Sequence, residues 1–250
     1  MHENITLEGI NLSFAYNSDV ILRDENFTLE GYGLYTILGP NGSGKTTFFK
    51  VLLGLLKPLK GKVLVNGVDV TGNPLDAGKY MSYVPQLSNM DYNYPVTGRE
   101  LIESSLKFGR RIRDNNVSRR VDYYLSLVKA KDFADKKVSS LSGGQLQRIL
   151  IARALARETP ILLLDEPFSG IDPRGRDEIV NIVNELSSKK MLLITTHDPV
   201  LTVKISRKVL VFNRGIKAIG SPSDVFRLEL LRKAYGENIL LIEKCLHVIA

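Results

Sequence analysis

The stretch GPNGSGKTT at residues 39–47, entered from the apolar run LYTIL and left through TTFFKVLLGLL, constrains this chain more than any other. Gly39, Gly42 and Gly44 allow backbone angles and close approach that side chains would forbid, so successive N–H groups can turn inward around an anion. A helix beginning near Lys45 points its positive end at the same place. Lys45 adds a mobile point charge for the outer phosphates, and the Thr46 hydroxyl is placed to bind Mg²⁺. A strand before the loop and a helix after it separate this segment from a merely flexible glycine-rich turn. The loop is built for a nucleoside triphosphate.

A chain of 250 residues can bury a sizeable core, as one large domain or as two lobes sharing an interface. Lys and Arg total 34 against 27 acidic residues, a formal charge of +7. That balance suits a phosphate-rich ligand, a nucleic acid or an anionic membrane surface, and does not choose among them. Cys245 is the single cysteine, which excludes an internal disulfide framework and any cysteine cluster for zinc or iron–sulfur; it reads as an inert small hydrophobe. MHENITLEGINLSF lacks the basic start and continuous apolar core of a signal peptide. Runs such as ILLL and MLLI fall short of the roughly 20 residues that span a bilayer. The expected setting is a reducing cytoplasm, and at a membrane another chain would supply the spanning part.

ITLEGINLSFAY alternates as a half-buried strand does, and KVLVNGVDV carries Asn66-Gly67 between β-branched runs, a hairpin signal. An antiparallel β section therefore begins the chain. TTFFKVLLGLL reads as helix, as does the segment from 117 to 130, where Val117, Val121, Leu125 and Val128 share a face. Between them MSYVPQLSNMDYNYPVTG, rich in turn formers and aromatics, leads into a second lobe, and a helical insertion is placed at 87–140. PILLLDEP and KKMLLITTHDP are short apolar runs ending in polar residues, the pattern of buried parallel strands with chemistry at their C-terminal ends. VLVFNRGIKAIG reads as a closing hairpin and SPSDVFRLELLRKAYG as a capped C-terminal helix. The predicted fold is α/β: a phosphate-loop core with a parallel sheet over 1–86 and 141–220, an antiparallel β subdomain within it, the helical subdomain at 87–140, and a helical extension at 221–250.

Two further constellations carry chemistry. At Asp165-Glu166 a buried strand spends four apolar residues and then exposes adjacent carboxylates, and strand alternation would send one toward Mg²⁺ and the other toward an attacking water. Asp165 would hold the metal shell; Glu166 would orient or deprotonate the water. In LSGGQ, residues 141–145, Ser142 caps a helix with a glycine-rich first turn, presenting free N–H groups to an anion. Taken alone, LSGGQ reads more readily as the start of a plain helix than as an anion site. One nucleotide should not need two phosphate-facing helix ends.

GPNGSGKTT, Gln86 in YVPQ, LSGGQ, ILLLDEP, SGIDP and His197 in TTHD occur in the order found in ATP-binding cassette (ABC) ATPases, and over nearly the whole chain, from Tyr16 to about Gly220, the sequence resembles the nucleotide-binding subunit of an ABC transporter. The resemblance implies two cassettes facing head to tail around two Mg-ATP, so that Ser142, Gly143, Gly144 and Gln145 of one would close on ATP held by Gly39, Pro40, Asn41, Gly42, Ser43, Gly44, Lys45, Thr46 and Thr47 of the other. One cassette per chain then implies a homodimer or a related second subunit.

Other roles carry over position by position. Tyr16 resembles the aromatic that stacks on adenine, Gln86 the residue that touches Mg²⁺ and reports to the helical lobe, and His197 the switch histidine that reaches the γ-phosphate. Asp172 resembles the residue linking the two facing sites. Phe168 stands where the family commonly has Thr or another small residue, which bears on the detail of the interface. The implied partners are a second cassette and an integral membrane permease, with the chain peripheral on the cytoplasmic face of the membrane.

The cluster Tyr80, Tyr83, Tyr92 and Tyr94 could serve as a stacking platform for single strands. It lies on either side of Gln86, however, close to where the family contacts its membrane subunit, and the basic residues are spread rather than blocked, so no nucleic-acid partner is expected. The alternative to a transporter motor is a soluble ABC ATPase, of which a cofactor-assembly ATPase stays open. Tyr94-Pro95-Val96-Thr97 and SPSDVFRLELLRKAYG resemble cassettes of metal-ion and metal-chelate transporters, implying such a cargo. Neither segment has a physical reason to know the cargo.

Overall fold

A computed structural model of the chain describes residues 5–89, 95–107, 116–236, 239–242 and 245–248. It opens with strands β1 (Thr6–Tyr16), β2 (Asp19–Glu30) and β3 (Gly33–Leu38), then helix α1 (Lys45–Leu52), β4 (Lys60–Val65) and β5 (Val68–Asp69). β2, β1, β4 and β5 pair in that order as an antiparallel sheet. β1 buries Leu7, then Leu12 and Phe14, its alternation shifted by one at an irregularity between Gly9 and Leu12, while Asn66 (φ 49°) and Gly67 (φ 76°) take the left-handed conformation that turns β4 into β5.

The next elements are α2 (Pro74–Tyr80), β6 (Met81–Val84), α3 (Gly98–Lys107), α4 (Val117–Leu127), α5 (Gly143–Leu155), β7 (Ile161–Asp165), α6 (Pro173–Ser187), β8 (Met191–Thr196), β9 (Ser206–Phe212) and β10 (Ile216–Gly220). A six-stranded sheet runs β10-β9-β3-β8-β7-β6, parallel throughout except for β10, which returns antiparallel along β9. That edge hairpin matches the reading of VLVFNRGIKAIG. Register sets Leu38 beside Thr196 and Asp165 beside Thr195, so β3, β7 and β8 deliver their C-terminal ends to one place.

Both faces of this sheet are covered, which explains the unbroken apolar runs. Ile161 and Leu163 of β7 enter the core shared with α1 and the antiparallel sheet. Leu162 and Leu164 enter a second core with α3, α4, α5 and α6. In α4, Val121 and Leu125 are buried with Val128 just beyond, and Val117 packs at their edge, as the helical periodicity requires.

The tail departs from the expected single helix and from a wholly helical 221–250. Ser221 caps only a short α7 (Pro222–Val225), closing a box with Asp224. The backbone then extends at Arg227 before α8 (Leu228–Tyr235), and Phe226 and Leu228 both lean on the cluster of Leu38, Val209 and Val211. That packing breaks the helix in two. Beyond α8 lie β11 (Ile239–Ile242) and β12 (Cys245–Val248), an antiparallel pair. ILLI and CLHV are short runs without a 3.6-residue period, which suits strands rather than helix.

Candidate nucleotide site

The phosphate loop joins β3 to α1, and its glycines are required for two different reasons. A Cβ at Gly39 would lie 2.0 Å from the Phe212 carbonyl, and one at Gly44 2.4 Å from Ile21. Gly42 has open space around it, but its φ of +75° disfavours any side chain. Gly44 (φ 98°) is the N-cap of α1, which starts at Lys45 as expected. Pro40 is partly exposed, and Asn41 and Gly42 are exposed at the tip. Ser43 is buried and its hydroxyl has no hydrogen-bond partner. Thr46 and Thr47, on the first turn, are half-buried.

Lys45 is 6% exposed, and its ammonium donates to the carbonyls of Gly39 (2.7 Å) and Pro40 (3.0 Å). It also lies 3.1 Å from Glu166 Oε1. The second carboxylate oxygen, Oε2, is 3.0 Å from His197 Nδ1. Glu166 therefore sits between the loop cation and the histidine. The exposed His197 ring reaches it from the end of β8.

Asp165 and Glu166 do diverge, but pleat alternation is not the cause. β7 ends at Asp165, and Glu166 adopts φ +46°, a left-handed conformation unusual for a residue with a side chain. Thr195 holds this turn. Its hydroxyl donates to Asp165 Oδ1 at 2.5 Å and accepts the Glu166 N–H at 2.8 Å. Asp165 Oδ2 accepts from the Tyr83 hydroxyl at 3.0 Å. Burial first, and then the Asp165 charge, push the Tyr83 phenol well above its ordinary value, so it stays a donor.

Thr195 and Tyr83 were not read as site residues. The doubled threonine of LLITTHD was the available signal for the first, and the approach of β6 to β7 for the second. The Tyr83 ring also packs edge-on to Phe49 at 6.4 Å, and Tyr80 leans on the same core. Tyr92 and Tyr94 lie outside the described residues.

Ser142 caps α5 in a closed box: Gln145 N–H donates to its hydroxyl at 3.3 Å, and the Gln145 side chain accepts the Ser142 N–H at 3.1 Å. Gly143 and Gly144 pack toward Gly170, Ile171 and Gly175. Asp172 caps α6 by accepting the Gly175 N–H at 3.2 Å. The LSGGQ and SGIDP turns thus form one surface. Lys45, Asp165, Glu166 and His197 form another group at the strand ends. Phe168 is 5% exposed within the helical core, so its bulk serves packing rather than an interface. Tyr16 closes β1, 46% exposed and edge-on to Phe14 at 5.0 Å. Gln86 follows β6 and Pro85, half-buried.

The donor set fits a nucleotide with Mg²⁺. Ser43 supplies a buried hydroxyl in need of a partner, and α1 supplies free N–H groups around it. Among the described residues no group of three His, Cys, Asp or Glu side chains could hold a metal alone. The oxygen donors of Thr46, Asp165 and Gln86 match Mg²⁺, which takes few protein ligands and completes its shell from phosphates and water.

The family pattern described as ABC transporter matches residues 22–169. The energy-coupling factor transporter ATP-binding protein of Caldanaerobacter subterraneus subsp. tengcongensis is 37% identical over 231 residues, covering 87% of this chain and 79% of that protein. The manganese transport system ATP-binding protein of Synechocystis sp. is 32% identical over 238 residues, covering 93% and 90%. A bacterial ABC transporter cassette, solved as a dimer, superposes with a TM-score of 0.76 at 25% identity, over 86% of this chain and 98% of that one.

Proposed function

Since this chain belongs to the ABC transporter family, we propose that Lys45, Asp165, Glu166 and His197 form its hydrolytic centre and that the cargo of its transporter is a transition-metal ion or metal chelate. The chain is an ATPase subunit that uses Mg-ATP, pairs with a second cassette and powers a separate membrane component. The alternative of an ATPase uncoupled from transport is not favoured, because the relatives are transporter subunits.

One observation carries the site reading: the Glu166 carboxylate bridges Lys45 at 3.1 Å and His197 at 3.0 Å. A γ-phosphate drawn to Lys45 would lie beside a carboxylate able to orient or deprotonate water, with an imidazole in reach of the developing charge. Mg²⁺, bound with the nucleotide, supplies neutralisation of phosphate charge near Thr46, Asp165 and Gln86. Tyr16 offers its exposed ring to adenine. Ser142, Gly143, Gly144, Gln145 and Asp172 are assigned to the ATP of the facing cassette, which explains why a capped, glycine-rich helix start stands apart from the chain's own phosphate loop.

We assign residues 1–86 and 141–220 to the nucleotide-binding core and 87–140 to the helical subdomain. A groove of about 580 Å³ runs between them, lined by Leu55, Tyr83, Ser104, Leu150 and Arg153, with Leu55 more than half exposed. Pro85 lines it, one residue before Gln86, so a membrane partner seated there would feel the nucleotide site. No helix among the described residues is long and apolar enough to cross a membrane. We place the chain peripherally on the cytoplasmic face, beside the membrane component. The metal reading draws on the manganese-transport relative. Deleting the gene and measuring cellular zinc, manganese, iron and cobalamin across limiting media tests it. A fall in one of them is expected, and unchanged levels of all four would remove the metal cargo while leaving the ATPase standing.

A further inference from the structure

The last turn of α8 reaches the nucleotide site from behind. Tyr235 is 7% exposed and packs with Leu38, Val209 and Val211, residues of the strands β3 and β9 that lead into the site. Its hydroxyl points at the His197 carbonyl, 3.5 Å away. The preceding residue is pinned as well, because Ala234 O accepts from the Asn213 side chain at 2.8 Å. Next to Asn213, the Arg214 N–H donates to Ser43 O in the phosphate loop at 2.8 Å. One helix end thus touches the histidine turn directly and the phosphate loop through the β9–β10 hairpin.

We propose that Tyr235 is a positioning residue for His197, making the C-terminal segment part of the hydrolytic machinery. The inference rests on the reading that His197 acts at the γ-phosphate. The His197 ring is exposed and its side chain meets Glu166, so the aim of the ring depends on where its backbone is held. A donor fixed in a packed cluster holds it, as a pre-organised site needs. Burial, followed by the nearby charges of Glu166 and Asp198, raises the pKa of the phenol, which keeps the proton on the oxygen. Truncating the chain before α8 would, on this account, impair hydrolysis although every family motif remained.

The test is a double-mutant cycle on the purified chain with Mg-ATP, comparing Tyr235→Phe, His197→Ala and the pair. Tyr235→Phe keeps the ring that fills the cluster and removes only the hydroxyl. We expect kcat to fall about 3- to 10-fold with KM for ATP changed less than about 2-fold, since aim rather than binding is lost. In the His197→Ala background, single-turnover hydrolysis should show no further loss from Tyr235→Phe, because the residue it aims is gone. A merely structural role would slow both backgrounds by the same factor, and that additivity would overturn the proposal. So would wild-type kcat in Tyr235→Phe when His197→Ala is impaired. Wild-type hydrolysis by His197→Ala would instead overturn the histidine reading beneath it.

Discussion

The Lys45 ammonium and a Glu166 carboxylate oxygen meet at 3.1 Å, with both side chains less than a tenth exposed. Neither charge has bulk water to fall back on, so each is the other's counter-ion as well as a tool for chemistry. Removing one therefore affects two things at once. Lys45→Ala should weaken ATP binding at least about tenfold and abolish turnover, since a phosphate charge loses its partner. It should also strand Glu166, at a cost of roughly 1–3 kcal/mol, seen as a melting midpoint lower by several degrees. Nucleotide titration, phosphate release and thermal melting check the three effects. Wild-type hydrolysis in this variant would end the phosphate-loop assignment.

Glu166→Gln separates binding from chemistry. The amide keeps the shape of the side chain and leaves Asp165 and Thr46 in place; it takes the counter-charge from Lys45, which the phosphates of bound ATP replace, and it cannot accept a proton from water. Hydrolysis should slow by roughly 10² or more while ATP binding persists. The ATP-bound dimer should then accumulate, read as a shift to twice the mass by size-exclusion chromatography with Mg-ATP. A monomer at saturating nucleotide and high protein concentration counts against the sandwich.

Thr195 tests how the two carboxylates are kept apart. Its hydroxyl is the shared partner of Asp165 and of the Glu166 N–H, which is buried at a left-handed turn. Thr195→Val preserves volume and leaves that N–H without an acceptor, costing about 1–3 kcal/mol. We expect kcat about 10-fold or more below wild type and a higher Mg²⁺ requirement, because Asp165 loses the donor that fixes its oxygen. Thr195→Ser should recover most of both. A Val variant with normal kcat and Mg²⁺ dependence would show that Glu166 holds its turn without help.

What was legible in the sequence and what was not divide along a physical line. Gly39, Gly44 and Lys45 announce themselves because a phosphate loop is local: its glycines, lysine and helix start lie within a few bonds of one another. Tyr83 and Thr195 did not, because they reach Asp165 from 82 and 30 residues away, across strand neighbours that no local pattern declares. The apolar runs ILLL and MLLI revealed buried parallel strands, yet not that β8 and β6 flank β7. Glu166 was found by its chemistry while its geometry was misread, since the pleat ends one residue before it. In the tail, capping and amphipathic signals located helix, but the break at Phe226 and Arg227 follows from packing on Val209 and Val211.

The last prediction separates Ser142 as a helix cap from Ser142 as a ligand of the facing cassette. As a cap closed onto Gln145, its loss in Ser142→Ala should cost about 1 kcal/mol. That amount cannot silence an ATPase, so a hydrolysis defect of 10-fold or more would need a second role. Mixing identifies where that role is played. If two copies pair head to tail, a dimer of one Lys45→Ala chain and one Ser142→Ala chain has one site carrying both lesions and one site carrying neither. An equal mixture forms mixed dimers about half the time, so about a quarter of all sites are intact. Two variants that are each nearly inactive should thus regain, on mixing, up to about a quarter of wild-type hydrolysis. If Ser142 instead serves ATP bound to its own chain, every site in every dimer carries one lesion. The mixture would then show no activity beyond the average of its parts, and the assignment in trans would fall.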